Sequence, residues 1–441
     1  VKLSLFLAFA IASFPLVGQC AEKFLWGVSN AAFQTEGEPA DSDWYRWANT
    51  PGKIEGGAKP EQAFGFYSRY EIEFDLAKTL GSNAFRMSIA WERVEPEAGK
   101  WDEGALTHYE DMLVAMRKRG LEPVVTLHHY VNPVWLKEGL LTPDFPIRFA
   151  EFAEHVVNRL ANGPAKVRYW ITFNEPEVLT KASYIDGDWP PGVTGDLNSA
   201  SQAMAQLMRA HVTVWNQTRP LAKQLGLKFG IAKHYRPFQP RSISPLDWLA
   251  TRLTNNYFNR QVLDGFLSGK IDLWAPGMKH IRESLSVDGG RAGDFIGVNY
   301  YGRTIVQFTF HAPYVLTSEG DGPKNDIGWE IYPKGMLESL RQVGAYGLPM
   351  LITENGIASS DDRLRPDFIA AHIAAMREAM AEGLPVIGYL HWTLTDNLEW
   401  ARGFGPKFGL CAAPRPGGPN DVSRCRPSFS TYRDLISKYS K

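Results

Sequence analysis

A chain of 441 residues is long enough for two or three ordinary domains, or for one large barrel with long loops. Its 47 basic and 48 acidic side chains leave a net charge of -1, which excludes strong electrostatic attraction to nucleic acid or to an anionic membrane and points to a neutral, polar partner. Aromatic residues make up 12% of the chain and include 14 tryptophans, more than packing alone calls for, and flat faces that stack on sugar rings are one use for the excess.

The chain opens on "VKLSLFLAFAIASFPLVGQCAEK", in which a lysine precedes an apolar run from Leu3 to Val17 and then small and polar residues. That run is shorter than the roughly 20 residues of a membrane span. Residues 1–21 therefore read as a secretory signal, the expected destination is the periplasm or the medium, and residues 22–441 read as one domain. Gln19 stands where a small residue is wanted before a lipid-modified cysteine, which argues against lipidation of Cys20.

From Phe24 onward, short β-branched or aromatic runs alternate with amphipathic stretches, the pattern of βα units around a parallel sheet. The runs are "FLWGVS" from Phe24, "NAFRMS" from Asn83, "PVVTLH" from Pro123, "RYWITF" from Arg168, "KFGIAKH" from Lys228, "DFIGVNY" from Asp294, "PMLITEN" from Pro349 and "VIGYLHW" from Val386. Eight is the number that closes a (β/α)8 barrel, so the expected fold class is α/β, a TIM barrel whose long βα loops form one face. Between the runs, "YSRYEIEFDLAKTLG", "HYEDMLVAMRKRG", "FAEFAEHVVNRLA", "MLESLRQVGAYG" and "DFIAAHIAAMREAMAEG" space their apolar residues by three and four, and several end in Gly as a helix should. The Gly/Pro-rich stretches from Asp41 and from Pro313 follow strand runs and are expected to decorate the same face. A doubly wound open sheet is the alternative, but "GVSNAAFQTEG" after the first run is not the Gly-rich phosphate turn that fold uses. Near the end, Cys411 and Cys425 flank a turn-rich segment and read either as a disulfide across a hairpin or as two unrelated thiols. No Cys-x-x-Cys, Cys/His cluster or His-x-His occurs, so neither metal nor cofactor is expected.

In a parallel barrel, polar residues at the C-terminal ends of the strands are where chemistry sits. Two runs end in Glu beside Asn: Asn174-Glu175 closes the fourth and Glu354-Asn355 the seventh. By strand count, the two side chains are expected on opposite sides of the barrel mouth, facing each other. A single such Glu reads as a helix cap or a salt-bridge partner; two at corresponding positions read as the carboxyl pair of glycoside hydrolysis, one protonated and one ionised.

The sequence resembles glycoside hydrolase family 1, the β-glucosidase-like retaining enzymes, from about Phe24 to Tyr432. "FLWGVSNAAFQTEG", "FRMSIAWERVEPEAGKWD", "TLHHYVNPVWL", "TFNEPE", "NYYGR", "DIGWEIYP", "ITENG" and "HWTLTDNLEWARGFGPKFGL" carry the likeness. It implies that Glu175 is the general acid/base and Glu354 the nucleophile of a double displacement, with carboxyl groups about 5 to 5.5 Å apart. It also implies that Gln34, His129, Asn174, Glu399 and Trp400 meet sugar hydroxyls, with Asn174 at the 2-hydroxyl, and that Trp392 is the floor. Trp329 would wall the leaving-group side. Arg86, Tyr301 and Asn299 would support Glu354, the first two by positive charge and hydrogen bonding.

The implied activity is an exported β-glycosidase for terminal, unphosphorylated β-D-glucosyl residues, with β-galactosyl or β-fucosyl residues as further candidates. A carboxylate at Glu399 would repel a 6-phosphate. Adjacent strand residues point to opposite faces, so His128 and His129 cannot chelate one ion together, and His129 is the sugar contact. Tyr130 and Val131 depart from the Trp and Asp that often follow that histidine. The alternatives are glycosyl transfer to an alcohol and a non-catalytic sugar-binding barrel, the latter disfavoured because both carboxylates are present.

Overall fold

The structure, a computed structural model, describes residues 23–311, 313–413 and 424–440. The expected signal and Cys20 lie outside them. All eight runs form strands that close into one parallel barrel: β1 (Leu25–Ser29), β2 (Ala84–Ser88), β3 (Glu122–His128), β4 (Tyr169–Asn174), β5 (Lys228–His234), β6 (Phe295–Tyr300), β7 (Met350–Asn355) and β8 (Val386–Trp392). A main helix follows each in turn: α1 (Phe66–Thr79), α2 (Glu103–Lys118), α3 (Phe145–Asn162), α4 (Leu197–Leu225), α5 (Gln261–Ser268), α6 (Pro333–Gly344), α7 (Arg365–Ala381) and α8 (Pro427–Tyr439). The fold is thus a (β/α)8 barrel. Among the described residues no helix is long and apolar enough to cross a membrane.

The strands are buried on both sides, and their alternation divides the apolar residues into two cores. Leu25, Ala84, Val124, Tyr169, Ile171, Ala232, Phe295, Leu351 and Leu390 form one cluster, inside the barrel. Their neighbours, such as Trp26, Phe85, Val125, Trp170, Ile296 and Tyr389, belong to the larger cluster under the helices. Gly81 and Gly383, each at φ +87°, end α1 and α7 in the left-handed conformation that costs glycine least. At the far end, Cys411 pairs opposite Cys425 in a two-stranded ladder, and the two are joined by a disulfide.

Two irregularities interrupt the strand ladders close to the barrel mouth. Between Ile171 and Asn174, β4 runs three residues while β5 runs two, and between Ile352 and Glu354, β7 runs two while β6 runs one. Each is a bulge, and a bulge re-aims the side chains beyond it. The expected placement of Glu175 and Glu354 also needs a correction. β4 and β7 are three places apart on the barrel wall, with β5 and β6 between them, so the two carboxyls share an arc of the mouth and are not diametrically opposed.

Several acids are buried in this frame. Glu73 of α1 reaches Asn30 after β1 and Thr395 after β8, and Glu92 has one oxygen without a partner among the described residues. Burial pushes Glu73 up to about 7 and Glu92 up to about 8. It pushes His128, His211 and His372 down to about 4 from 6.5. Between pH 4 and 6.5 the unfolded chain gains histidine protons that the folded chain refuses, which opposes the carboxyl contribution. Above pH 6.5 the histidine difference fades and the buried carboxyls dominate: the folded chain retains protons that the unfolded chain releases, so stability falls as pH rises through 7 and 8. The loss is up to about 1.4 kcal/mol per pH unit for each retained proton. Thermal midpoints measured from pH 6.5 to 8.5 should therefore decline, and Glu92→Gln should flatten the decline; a wild-type midpoint that rises over that range contradicts the assignment.

Candidate active site

The C-terminal ends of the strands open onto a cavity of about 870 Å³. It receives Gln34, His129, Asn174, Glu175, Tyr301, Trp329, Glu354, Trp392, Glu399 and Trp400, so these sequence-predicted residues are brought together. The Asp41 stretch contributes Trp47, Lys53 and Glu55 to its rim, and the Pro313 stretch contributes Thr317, Ser318 and Glu319. Among the described residues no group of three or more His, Cys, Asp or Glu could hold a metal ion.

The arrangement is built around Arg86, which points inward from β2 and is fully buried. Its Nη1 donates to Glu354 Oε1 at 2.6 Å, its Nη2 to Asn174 Oδ1 at 2.6 Å and its Nε to Thr126 Oγ1 at 3.0 Å. Tyr301 donates to the other Glu354 oxygen at 2.7 Å. Asn299, expected to support Glu354, is its ladder partner on β6 but directs its hydrogen bonds elsewhere: its amide donates to Glu175 Oε1 at 2.8 Å and to Asn174 Oδ1 at 3.1 Å, and its carbonyl accepts from Thr353 at 2.6 Å. The register shift sets Glu354 level with Asn299, yet the Glu354 oxygens are taken by Arg86 and Tyr301.

Glu175 sits in the left-handed region at φ 41°, directly before a short helix, Pro176–Lys181. Pro176 occupies the first helical position, where its missing N–H costs nothing, while the Glu175 N–H donates to Ala232 O at 2.7 Å. Two further side chains reach its carboxyl. Tyr130 donates to Oε2 at 2.5 Å, and His234 Nδ1 lies 3.1 Å from Oε1. Neither was selected from the sequence. His234 was within reach of the strand-end rule, since it closes β5. Tyr130 was not, because it lies beyond the end of β3, where a left-handed backbone at φ 77° sets its direction.

The two histidines point to opposite faces, as adjacent strand residues do. His128 faces outward, bonded to Asn132 at 3.0 Å and ringed by Trp91, Phe145, Phe149 and Phe173. His129 faces inward, 3.2 Å from the Asn174 amide and nearly parallel to Trp392 and Trp400. Burial and the Arg86 charge keep it neutral. The polar atoms Gln34 Oε1, His129 Nδ1 and Glu399 Oε2 have no partner among the described residues. Trp329 packs on Tyr301 and Phe408 toward the outer cavity. Trp189, from the loop after the Pro176 helix, was also missed; it packs at a tilt against Tyr130 and Trp400 at ring distances of 4.7 and 5.4 Å.

Burial raises the Glu354 carboxyl to about 7, against the pull of Arg86 and with the Glu175 charge adding to the rise. At Glu175, burial also acts upward, yet a charged His234 with the Tyr130 and Asn299 hydrogen bonds brings the carboxyl down to about 2. The two attractions differ in kind. Arg86 is charged at every relevant pH, whereas burial pushes the His234 imidazole below its usual range. With the imidazole neutral, that ion pair is gone. The standing negative charge then belongs to Glu354, and the proton that two neighbouring carboxyls share goes to Glu175.

Residues 17–440 match the profile of Glycosyl hydrolase family 1. Beta-glucosidase A of Thermotoga maritima is 32% identical over 88% of this chain and 92% of its own length, and a beta-galactosidase of Pyrococcus woesei is 29% identical over the same shares. Among solved structures, the family 1 β-glucosidase from Thermotoga maritima superposes with a TM-score of 0.85 at 30% identity, covering 94% of this chain and 98% of that one. The beta-glycosidase from Pyrococcus horikoshii does so at 0.83 and 32%, covering 94% of each. A barrel of this order, a cavity at its strand ends and a match along nearly the whole chain together establish that the protein is a glycoside hydrolase belonging to glycosyl hydrolase family 1.

Proposed function

We propose that the protein is an exported, retaining β-glycosidase that removes terminal, unphosphorylated β-D-glucosyl residues, with tolerance for β-galactosyl or β-fucosyl residues. The observation that carries the reading is the unequal treatment of two carboxyls in one cavity: Glu354 is bound by a permanent guanidinium and a phenol, Glu175 by groups that carry no fixed charge. In the first step a Glu354 oxygen attacks the anomeric carbon while Glu175 gives its proton to the departing oxygen. In the second, Glu175 takes a proton from water, whose oxygen displaces Glu354 from the same face that the leaving group occupied. The Tyr301 hydroxyl and Arg86 orient Glu354 for attack.

Sugar recognition follows from the unpartnered polar atoms. Gln34 Oε1 and Glu399 Oε2 can accept from hydroxyls, and Asn174, its carbonyl occupied by Arg86 and Asn299 and its amide turned to His129 and Tyr130, can meet a 2-hydroxyl by giving it the hydrogen now shared with His129 at 3.2 Å. Trp392 and Trp400 supply flat apolar surface. A 6-phosphate would bring two more charges beside the negative Glu354 and near Glu399, whose carboxyl burial already pushes up to about 8. The names of the relatives, β-glucosidase and β-galactosidase, support a gluco- or galacto-configured sugar. These differ by one contact, worth only a few kcal/mol. Export is supported by the apolar stretch before Gly18 and by a disulfide, which persists in oxidising compartments. Transfer to an alcohol in place of water is a second reading, favoured by the aromatic wall of Trp329, Tyr301 and Phe408.

Initial rates on aryl β-glucoside, β-galactoside, β-fucoside and β-glucoside 6-phosphate test the substrate, and the phosphorylated sugar should be the poorest. Glu354→Ala should lose about 10⁴-fold or more in kcat and regain turnover with azide; an active Glu354→Ala without azide would remove Glu354 as nucleophile. Arg86→Met leaves Glu354 buried without its cation. It should lower stability by about 3–5 kcal/mol and move the acid limb of the kcat/KM profile to higher pH, because the carboxyl must ionise unaided. An acid limb that stays in place would separate Arg86 from the chemistry.

A further inference from the structure

The carboxyl of Glu175 is gripped at both oxygens. On Oε2, the Tyr130 hydroxyl donates at 2.5 Å while itself accepting from the Asn174 amide at 2.9 Å. On Oε1, His234 Nδ1 lies at 3.1 Å beside the Asn299 amide. An ionised carboxylate only accepts, so opposite it Nδ1 carries the hydrogen. Both rings are fixed. Tyr130 is wedged against Trp189 and Trp400, and His234 lies nearly parallel to Tyr301 at 5.8 Å with its edge on Phe258.

We propose that Tyr130 and His234 are positioning residues for this reaction, each holding one oxygen of Glu175 and together biasing that carboxyl toward its ionised form. The inference rests on the reading of Glu175 as acid/base. A carboxyl held by donors gives up its proton readily but keeps it over a narrower pH range, which favours the water-activating step and narrows the range of the first step. Tyr130 is suited to the part: burial and the Glu175 charge keep its phenol far above the usual range, so it stays a donor at every working pH.

The remaining charges around Glu175 do not replace these contacts. Glu354 on β7 and Glu399 beyond β8 oppose ionisation, and Arg86 of β2 spends its guanidinium on Glu354 and Asn174. From the Pro176 helix, Glu177 pairs with Lys233 of β5 at 3.0 Å, and the Lys233 charge also favours an ionised Glu175 across space. Arg236 acts on the imidazole of His234, discouraging its charge. Tyr301 gives its hydrogen to Glu354, and His129 is neutral.

The test is the pH dependence of kcat/KM on 4-nitrophenyl β-glucoside for the wild type, Tyr130→Phe, His234→Ala and His234→Asn. Removing either donor should move the alkaline limb to higher pH by about half to one pH unit. His234→Asn, which returns an N–H toward Oε1, should stay nearer the wild type than His234→Ala. The Phe substitution keeps the ring between Trp189 and Trp400, and if it fails to fold, the His234 pair still decides. Slower variants with an unmoved alkaline limb would mean that both residues only pack, and the proposal falls. Glu175→Ala on aryl glucosides of graded leaving-group acidity separates the premises. If its loss does not grow as the leaving group worsens, Glu175 is not the acid and the functional reading itself is wrong; if it grows while the limbs stay put, only the clamp is wrong.

Discussion

A guanidinium with no access to water is the constraint on which the site is built. Removing a charge from water costs several kcal/mol unless it is paired and its remaining donors are satisfied. Arg86 meets that demand with Glu354, Asn174, Thr126 and, more distantly, the Thr353 carbonyl at 3.4 Å. These partners come from β3, β4 and β7, so one side chain on β2 fixes the relative positions of strands far apart in sequence. Its planar fork also settles an orientation that would otherwise be ambiguous. Arg86 and Asn299 both donate to Asn174 Oδ1, so the Asn174 amide must turn toward His129 and Tyr130. A lysine at this position could supply the charge but not that geometry.

Around this fixed centre, the barrel departs from regularity where a carboxyl has to be aimed. Strict alternation along β4, starting from inward Tyr169 and Ile171, would send Phe173 inward and Asn174 outward. The bulge reverses the order: Phe173 packs under the helices and Asn174 enters the mouth. Glu175 then needs a left-handed backbone to reach the cavity and still leave a usable start for the helix at Pro176. For a residue other than glycine that conformation is strained, and strain of this kind persists where the surroundings over-determine it. Here the Ala232 carbonyl holds its N–H, and three side-chain donors hold its carboxyl. Tyr130, at φ 77°, is bent inward by the same device from β3.

These departures mark where reading the sequence succeeds and where it stops. The eight strands were legible because a strand buried on both faces must be apolar along its length, and no other use of "RYWITF" or "VIGYLHW" fits so short a run. The polar residues at their ends were legible for the complementary reason that a barrel interior tolerates Arg86, Asn174 or Glu354 only where an opening begins. His128 and His129 could be separated because neighbouring residues of a strand point to opposite faces. Asn299 could not be assigned to the correct carboxyl, since it is level with Glu354 in the ladder and only the packed mouth shows its amide turned to Glu175 instead. Trp189 was hidden for another reason: it arrives from a loop whose path depends on the packing of Tyr130 and Trp400, two residues remote in sequence. A tryptophan in a Gly/Pro-rich stretch signals only that something will bury it.

The packing around the sugar site has an energetic logic that helps explain the surplus of aromatic residues. Gln34 Oε1, His129 Nδ1 and Glu399 Oε2 are each held out of protein hydrogen bonds, and each such buried group costs roughly 1–3 kcal/mol unless a ligand or solvent meets it. Flexible side chains would relieve that cost by rotating to find partners, and the site would lose its complementarity to hydroxyls. Rings prevent the relief. Phe33 stacks on Trp400 at 6.0 Å, Trp44 meets Trp400 at 4.7 Å and Trp189 meets it at 5.4 Å, while His129 is held between Trp400 and Trp392. Each contact adds to stability and removes a rotamer. The aromatic cluster therefore does two things at once: it supplies apolar surface for a sugar ring, and it keeps polar atoms pointing at hydroxyls when no hydroxyl is there.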